Sequence, residues 1–374
     1  MALQGKIRLA ILSPSGSAYS ETFIRAQRDL LPFDVYYYFG GLVPNKLDYG
    51  NKLRKLKVSL VIWLWHRLLR LIRTTDYTLS EFLLRRSLLR NRIRVVLAQY
   101  GPVGEAVSKI CSIEKICLIV HFHGYDAWVK EIFVKNGYYR NCFSVASRII
   151  AVSTSMKKHL LDIGCPEDKL RYLVYGPADQ FFQCRPSTTS RNFLAVGRFV
   201  DKKAPYYTIL AFAKVLEMFP DARLYMAGDG PLLNMCINLV RYLKIDHAVI
   251  MLGVLSPAEL ASRFEDTLAF VQHSVKAING DREGTPVVIL EAAAAGLPII
   301  STCHEGVLDL FVSNENALLV EEHDIDGMAG AMTLLLLNPD LAASIGSRAR
   351  ELIRNRSTLD SYIRSLSTLV RESI

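Results

Sequence analysis

Residues 280–298 read GDREGTPVVILEAAAAGLP, and this stretch decides more about the fold than any other. Thr285 is a favourable N-cap residue, and Pro286 suits the first position of a helix because that position needs no N–H donor. The residues that follow propagate a helix, and Gly296 fits the position just after the last helical residue. The pattern predicts a helix that begins at Pro286 and ends before Gly296.

Two glutamates flank the start of this predicted helix. Glu283 lies just ahead of it, and Glu291 lies about one and a half turns inside it. A helix N-terminus offers unpaired N–H donors and a partial positive charge, which suits a phosphate. Carboxylates beside a phosphate could accept hydrogen bonds from ribose and hexose hydroxyls, as in a nucleotide-sugar site. The structural alternative is a solvated pair that compensates the helix dipole.

The same segment resembles the E-x7-E signature of retaining GT-B glycosyltransferases of the family-4 type. The likeness includes the EG-x-P start at Glu283 and the EA-x-A-x-GLP continuation from Glu291. The chain also resembles members of this family in exopolysaccharide (colanic-acid-like) biosynthesis, through the helix opening at residues 20–23. The resemblance implies a retaining transferase that moves a sugar from a UDP- or GDP-sugar to a saccharide or lipid-linked saccharide in cell-surface polysaccharide assembly. It also implies the GT-B fold, in which two doubly wound Rossmann-like α/β domains face a cleft.

Further segments resemble the donor site of this family. In AVGRFVDKKAP, Arg198 and Lys203 align with the arginine and lysine that neutralise the donor diphosphate, although Ala204 replaces the expected glycine. The resemblance places Glu291 on the ribose and Glu283 on hydroxyls of the donor sugar. The donor-binding candidates are Arg198, Lys203, Gly284, Thr285, Pro286 and Glu291, together with Gly16, where the lack of a side chain would let the backbone approach a diphosphate closely. The run Cys303–Phe311 departs from the family pattern in the donor pocket.

The motif HFHGYD, at residues 121–126, is the clearest chemical feature of the first half. On a strand, His121 and His123 would point the same way, which suits either a metal ligand pair or a satisfied core pair. The other histidines form no second cluster, so we predict no metal site. FHG-x-D resembles the segment where the family keeps a histidine beside the transferred sugar, and His123 aligns with it. The implied catalytic residues are His123 and Glu283, and neither Glu283 nor Glu291 is assigned as a nucleophile.

A metal-dependent GT-A enzyme is the neighbouring alternative, and it would need a D-x-D motif to hold Mg²⁺ or Mn²⁺. The only D-x-D in the chain is residues 324–326, and it follows an apolar strand pattern. We interpret Asp324 as the cap of the next helix. We therefore expect a metal-independent reaction without a cofactor. Another GT-B-fold enzyme such as an epimerase, or a non-catalytic membrane scaffold, remains the alternative function.

The chain alternates apolar strand patterns with helical segments over its 374 residues, which suits two domains. We predict an acceptor-side Rossmann-like domain over 1–176, a linker over 177–192 and a nucleotide-sugar-binding domain over 193–356. The amphipathic stretch 357–374 should pack back onto the first domain. Unpatterned cysteines, a start unlike a signal peptide and the lack of a membrane-length apolar run lead us to expect a cytoplasmic protein.

Positive charge is concentrated in residues 52–94, which hold twelve Lys and Arg against two acidic residues. Within this basic segment, VSLVIWLWHRLLRLIR mixes Trp and Leu with Arg, a composition typical of helices that lie on anionic lipid. We predict peripheral docking on the inner face of the cytoplasmic membrane. The alternative is a packed helix pair with a solvated basic face. No helix-turn-helix, finger or RNP-like pattern accompanies the charge, so we expect no nucleic-acid partner.

Overall fold

The computed structural model describes residues 6–16, 21–50, 52–56, 60–71 and 76–374. The predicted basic segment therefore falls partly outside the described residues. The chain divides into two compact units. The first unit holds the described residues up to Val152, then Met156–Leu173 and Ile363–Ile374, and the second holds Ser153–Ser155 and Val174–Tyr362.

The first unit is built on an eight-stranded sheet. Its strands are β1 (Arg8–Ser13), β2 (Asp34–Phe39), β3 (Lys46–Tyr49), β4 (Lys52–Lys55), β5 (Val95–Gln99), β6 (Cys117–His121), β7 (Arg148–Ala151) and β8 (Leu170–Tyr172). They lie in the order β4-β3-β2-β1-β5-β6-β7-β8. The β2–β3 and β3–β4 pairs are antiparallel and the other pairs are parallel. The apolar strands predicted from the sequence are confirmed, and β3 and β4 extend the sheet at an edge that the sequence did not reveal.

Helices join the parallel strands of the first unit, as β-α-β crossovers require. They are α1 (Thr22–Leu30), α2 (Leu60–Leu71), α3 (Leu79–Arg90), α4 (Gly101–Ile113), α5 (Tyr125–Trp128), α6 (Lys130–Lys135), α7 (Arg140–Val145) and α8 (Thr154–Asp162). Strand β5 is buried along its whole length, which is why its sequence is continuously apolar apart from its final glutamine.

The second unit has a six-stranded sheet in which every pair is parallel. Its strands are β9 (Asn192–Val196), β10 (Arg223–Ala227), β11 (Val249–Gly253), β12 (Ala269–Gln272), β13 (Ile299–Thr302) and β14 (Leu318–Val320). The order β11-β10-β9-β12-β13-β14 reverses direction between β9 and β12. Ligands of doubly wound sheets bind at the carboxyl ends of the strands beside such a switch point.

Seven helices of the described chain cover the second sheet. They are α9 (Pro205–Met218), α10 (Leu233–Tyr242), α11 (Pro257–Glu265), α12 (Val287–Ala295), α13 (Glu305–Leu308), α14 (Ile325–Leu337) and α15 (Pro339–Arg356). Asp324 caps α14 by accepting a hydrogen bond from the Gly327 N–H at 2.7 Å. This confirms the interpretation of the D-x-D motif as a helix cap.

The last helix, α16 (Leu359–Glu372), ends in the first unit. The Cys117 thiol donates to the carbonyl of Ser373 at 3.2 Å, and the Arg371 guanidinium lies 5.7 Å from the centre of the Phe33 ring. Among the described residues, no single helix is long and apolar enough to cross a membrane. The helices Ile325–Leu337 and Pro339–Glu372 meet that criterion only as a pair, across a bend of 108°.

Candidate active site

The donor-binding candidates of the second unit lie around the switch point of its sheet. Arg198 and Lys203 follow β9, Glu283 follows β12, and α12 begins just beyond it. Arg198 and Lys203, with Gln272, line a small pocket at this end of the sheet. The sheet order therefore brings together residues from three separate stretches of the sequence.

Glu283 and Lys203 form a buried ion pair. The Lys203 ammonium lies 3.2 Å from Glu283 Oε2, and its other contact is the Gln272 side-chain oxygen at 3.0 Å. Lys202 Nζ lies 3.8 Å from Glu283 Oε1 and 3.0 Å from Asp281 Oδ1. The two adjacent lysines therefore both act on the Glu283 loop.

The charge state of Glu283 follows from these neighbours. Burial alone would raise the pKa of its carboxyl, because a charged group loses its hydration. The nearby Lys203, Lys202 and His304 outweigh burial and lower the pKa of that carboxyl to about 2. Burial lowers the pKa of the Lys203 ammonium, an effect that Glu283 opposes. Glu283 is thus an ionised hydrogen-bond acceptor at neutral pH, with little tendency to take up a proton.

Helix α12 starts one residue later than the sequence predicted. Pro286 has φ −66° and ψ 115° and is the N-cap residue, and no side chain caps the helix. The prediction that Thr285 is the cap and Pro286 the first helical residue was wrong, because the extended ψ of Pro286 leaves it outside the helical turn. Ile289 N–H bonds to the Pro286 carbonyl, so the N–H groups of Val287 and Val288 precede the first hydrogen bond of the helix. Gly296 ends the helix at φ 89°, as predicted.

Glu291 lies in the second turn of α12 and is partly buried. Burial raises the pKa of its carboxyl to about 7. No salt bridge to Glu291 is present among the described residues. The two glutamates of the E-x7-E pattern therefore differ in charge: Glu283 is ionised by cations, whereas Glu291 sits close to its titration point.

Arg198 is exposed, and in the described part of the chain its side chain forms no ion pair. It lies near enough to Lys203 that its charge contributes to the lowered pKa of that lysine. Ala204, where the family resemblance leads us to expect glycine, has φ 37° and ψ 51°. That is the left-handed region which glycine adopts without strain.

The loop that carries Gly284 and Thr285 packs against α13. A Cβ atom on Gly306 would lie 1.9 Å from the carbonyl oxygen of Gly284 and 2.6 Å from Thr285 Oγ1. Gly284, Thr285 and Pro286 are all buried. The close backbone contact fixes the loop that carries Glu283, which precedes Gly284.

The structure adds charged residues that sequence reasoning did not assign to the site. The Arg282 guanidinium pairs with Glu305, and His304 Nδ1 lies 3.0 Å from the other oxygen of Glu305. Burial would raise the pKa of Glu305, but His304 and Arg282 lower it to about 2. The only signal in the sequence was the departure of the run Cys303–Phe311 from the family pattern.

His123 lies in the first unit, just after β6. Its ring packs between those of Phe23 and Tyr100, each at a centroid distance of 4.6 Å. Burial, with a smaller effect of His121, lowers the pKa of His123 well below its usual value. The imidazole is therefore neutral at pH 7.

Asp126 organises the loop around His123. Its carboxylate accepts hydrogen bonds from the N–H groups of His123 (3.1 Å), Gly124 (2.9 Å) and Gly101 (2.9 Å). Gly101 is the first residue of α4, so Asp126 also satisfies a donor at a helix N-terminus. These bonds give Asp126 a contact with the backbone of the His123 loop.

Gly16 is the donor-binding candidate of the first unit. It follows β1 and is exposed, and a Cβ atom there would lie 2.5 Å from the ring of Phe39. The Phe39 ring leaves no room for a side chain at position 16, which explains why the residue is glycine. Contact of Gly16 with a diphosphate stays a prediction. Among the described residues, no group of three or more His, Cys, Asp or Glu side chains could hold a metal ion. Metal independence itself stays a prediction.

Comparisons with known proteins identify the family of each half of the chain. Residues 178–352 match the family model described as glycosyl transferases group 1, and residues 46–174 match the model described as glycosyltransferase family 4. The chain is 28% identical over 291 residues to the putative colanic acid biosynthesis glycosyltransferase WcaL of Escherichia coli (strain K12), covering 75% of this chain and 71% of that one. It is 23% identical over 247 residues to the amylovoran biosynthesis glycosyltransferase AmsK of Erwinia amylovora, covering 64% and 61%.

Solved structures share the fold. Anabaena Alr3699/HepE in complex with UDP superposes with a TM-score of 0.76 at 15% identity, covering 98% of this chain and 100% of that one. The lipopolysaccharide outer core galactosyltransferase WaaB in its apo form superposes with a TM-score of 0.66 at 17% identity, covering 98% and 100%. Two Rossmann-like sheets and two glycosyltransferase family models together identify the chain as a glycosyltransferase of the GT-B fold, with a family 4 first half and a group 1 second half.

Proposed function

We propose that the protein is a retaining glycosyltransferase that transfers a sugar from a UDP- or GDP-sugar to a saccharide or lipid-linked saccharide. One observation carries the proposal: ionised Glu283, paired with Lys203 at 3.2 Å, directly precedes the N-terminal end of α12. A carboxylate that stays ionised accepts sugar hydroxyl hydrogens, and a lysine with helix N–H groups attracts the diphosphate. These are the two needs of a nucleotide-sugar donor.

Arg198 and Lys203 would neutralise the donor diphosphate, and Glu291 would accept hydrogen bonds from the ribose. HepE has been solved with UDP and with UDP-glucose, which supports a donor of this class. A Mycobacterium tuberculosis relative, 22% identical over 261 residues, is named a GDP-mannose-dependent mannosyltransferase. We therefore propose either a UDP-sugar or a GDP-sugar as the donor.

In the proposed reaction, the bond between the anomeric carbon and the diphosphate oxygen breaks while the acceptor hydroxyl oxygen bonds to the same face of the sugar. The acceptor proton passes to an oxygen of the departing diphosphate. Arg198 and Lys203 stabilise the negative charge that develops there. The low pKa of Glu283 makes it a poor base, so it positions hydroxyls rather than acting as a nucleophile.

The proposed setting is the assembly of a cell-surface polysaccharide. Relatives named for colanic acid and amylovoran biosynthesis support it. We further propose that the reaction needs no metal, since Arg198, Lys203 and the α12 N-terminus supply the positive charge that a metal would otherwise provide.

A nucleotide panel tests the donor part of the proposal. Thermal unfolding is measured with UDP, GDP, ADP or CMP, each with and without EDTA, for the native protein and for Glu291→Ala. A ligand at a hundred times its Kd adds about 2.7 kcal/mol to the unfolding free energy. We expect a shift with UDP or GDP that EDTA leaves unchanged and that Glu291→Ala abolishes. No shift with any nucleotide would contradict the donor site, and a shift lost in EDTA would contradict metal independence.

Product analysis separates the transferase from the alternatives. With the nucleotide sugar that binds, a transferase consumes donor only when an acceptor is present, whereas an epimerase converts the donor alone. Proton NMR of the product gives the anomeric configuration, and inversion relative to the donor would overturn the retaining assignment. Binding without turnover over a broad acceptor panel would favour a scaffold.

We also propose that helix α2 docks on the anionic membrane surface that holds a lipid-linked acceptor. Leu60, Leu64 and Leu68 recur every four residues and are 73%, 52% and 49% exposed. Trp63 and Trp65 are 38% and 57% exposed. A helix on a globular protein normally turns its apolar stripe inward. An outward stripe of Leu with flanking Trp is the pattern of a helix that lies in a lipid interface.

His66, on the opposite side of this helix, is anchored in the first unit. His66 is buried, its Nε2 lies 2.8 Å from the Tyr77 carbonyl, and its ring packs 5.3 Å from that of Phe82. In the sequence, this helix belongs to the basic segment 52–94, and such positive charge complements anionic headgroups. The apolar face is thus held outward by a buried anchor on the opposite side.

Co-sedimentation with vesicles tests this docking. We expect binding to phosphatidylglycerol vesicles, little binding to phosphatidylcholine vesicles, and loss of binding in a Leu64→Ser/Trp65→Ser variant. Leu337→Ser is the control, because Leu337 is 60% exposed but lies on α14 of the second unit. Binding that does not depend on anionic lipid, or that both variants weaken equally, would contradict docking through α2.

A further inference from the structure

Three arginines of the second unit line one cavity of about 520 Å³. Arg185 follows the short helical turn Asp179–Gln183, while Arg350 and Arg354 lie four residues apart on α15. The cavity therefore forms where the segment that the sequence predicts as a linker meets the last turns of α15. None of the three arginines is a donor-site candidate.

Arg350 is held in place by backbone carbonyl groups. Its Nε donates to the Ala294 carbonyl at 2.9 Å, and its Nη2 donates to the carbonyls of Phe182 at 3.0 Å and Cys184 at 2.6 Å. Ala294 lies in the last turn of α12, so Arg350 contacts the end of that helix opposite to the Glu283 loop. The protein itself thus fixes the position of this guanidinium.

The same turn orients Arg354. Its guanidinium lies 5.6 Å from the centre of the Phe182 ring. A contact of this kind is favourable and holds the planar guanidinium over the ring. Arg185 and Arg354 are both exposed, and neither forms an ion pair with another residue that the structure describes. Two of the three positive charges therefore lack a carboxylate partner within the described chain.

The cavity carries an excess of positive charge. Asp179 is the one carboxylate among the described residues that line it, against three guanidinium groups. Burial lowers the pKa of Arg350, and the charges of Arg354 and Arg185 lower it further, although Cys184 opposes them. A basic residue near a helix C-terminus complements the helix dipole, which accounts for Arg354 but not for Arg185. An anion in the cavity would relieve the repulsion between these like charges.

We propose that this cavity binds a phosphate-bearing anion. A guanidinium group donates two parallel hydrogen bonds that match a pair of phosphate oxygens, and such charge-assisted bonds are stronger than neutral ones. The cavity has the volume of a small-molecule site and is larger than one phosphate group requires. The ligand therefore carries a second phosphate or an organic part beside the first phosphate. A soluble diphosphate and a lipid phosphate present the same chemistry to the three arginines.

Isothermal titration tests the site with two probes, inorganic pyrophosphate and dihexanoyl phosphatidic acid, which is a soluble lipid phosphate. The native protein is compared with Arg185→Gln/Arg354→Gln, which replaces two exposed side chains and keeps the structural Arg350. We expect at least one probe to bind this variant at least about tenfold more weakly than the native protein. Arg198→Ala should keep that binding, because Arg198 belongs to the proposed donor site. The probe that binds more tightly identifies the source of the phosphate.

Arg241→Gln/Arg348→Gln is the matched control, since it removes two positive charges from exposed positions of α10 and α15 that do not line the cavity. At roughly 0.15 M salt, which screens distant charges, it should leave both affinities within about twofold.

Three results would overturn the proposal: no binding of either probe to the native protein, native affinity for both probes in Arg185→Gln/Arg354→Gln, or equal weakening in the control. If the arginine variant loses the probe while the native protein binds no nucleotide, the proposed donor site fails and the anion site stands.

Discussion

The ammonium of Lys203 lies 3.2 Å from the carboxylate of Glu283, and the side chains are only 14% and 10% exposed. Neither charge would be stable alone in this position, because a buried ion loses its hydration. Each therefore keeps the other ionised before any donor binds. In the proposed donor complex, the diphosphate would meet a cation whose orientation Glu283 has already fixed.

Replacing Glu283 with Gln should lower both stability and activity. Lys203 would be left buried without its carboxylate, whereas Lys202 keeps Asp281 at 3.0 Å. Breaking a buried pair costs roughly 3 to 5 kcal/mol. Because the Glu283 pKa is about 2, the stability it contributes is complete above the ordinary glutamate range and is lost as pH falls toward 2. Urea unfolding at pH 7 measures the loss. A Lys203→Met/Glu283→Gln double variant should lose less than the sum of the single variants, and additive losses would refute the pair.

Replacing Glu291 with Gln should make the unliganded protein more stable at high pH. Burial raises the Glu291 pKa to about 7, so ionisation destabilises the fold progressively as pH rises through that value. The gain should be on the order of 2 kcal/mol at pH 8.5 and vanish near pH 4.5. Thermal unfolding across this range is the measurement. Nucleotide affinity should fall in the same variant, and a gain that does not depend on pH would contradict the assignment.

Replacing Arg198 with Ala should reduce kcat without reducing stability. The side chain is exposed, so little packing is lost, while removal of a group that stabilises developing charge costs roughly 3 kcal/mol, about a hundredfold in kcat. Initial rates at saturating donor measure the effect. Arg241→Ala, on the exposed side of α10, is the control and should keep native rates. Equal losses in the two variants would argue against a role in transfer.

Replacing Gly306 with Ala should displace the Glu283 loop. The added methyl carbon would lie 1.9 Å from the Gly284 carbonyl oxygen, which is backbone and cannot rotate away. We expect donor affinity to fall by at least about tenfold and Tm to fall, since overpacking costs roughly 1 to 3 kcal/mol. Isothermal titration with the nucleotide measures the affinity. Gly330→Ala, where nothing lies within 4 Å, should be neutral or slightly stabilising.

Replacing Asp126 with Ala should destabilise the first unit. The N–H groups of Gly101, His123 and Gly124 would lose their acceptor, and an unsatisfied buried donor costs roughly 1 to 3 kcal/mol. Thermal unfolding should show a clear fall in Tm, and the fall should be much smaller in Asp162→Ala, an exposed residue at the end of α8. An unchanged Tm in the Asp126 variant would mean that the loop is held by other contacts.

The strand pattern was predictable because buried parallel strands are apolar along their length. Both sheets follow from such runs, and β5 shows the reason, since all of its residues are buried. The β3–β4 hairpin escaped prediction because each strand has four residues and carries charge. Its pairing with β2 stabilises it, and the sequence of the hairpin alone does not reveal that contact.

For helix α12, which carries Glu291, the predicted start and the observed start differ by one residue. Gly296 was placed correctly, because a positive φ at a helix end is a local property of glycine. The start was misplaced by one residue, because Pro286 has an extended ψ of 115°, and the preceding Gly284 and Thr285 lie against Gly306 in α13. A contact that is distant in sequence therefore overrides a local capping preference.

The sequence by itself determined the two Rossmann-like sheets and the E-x7-E helix, because hydrophobic period and turn chemistry are local, and its resemblance to a known family implied Arg198, Lys203 and His123 as candidates. Only the tertiary structure decided which groups act on them. Gln27 meets Gln99 across 72 positions, and Lys202 meets Asp281 across 79. The order of strands in each sheet determines which distant residues come into contact, and that order depends on the packing of the whole unit. Burial raises the pKa of both glutamates, but the neighbouring Lys203, Lys202 and His304 reverse its effect at Glu283, which no spacing of residues could reveal.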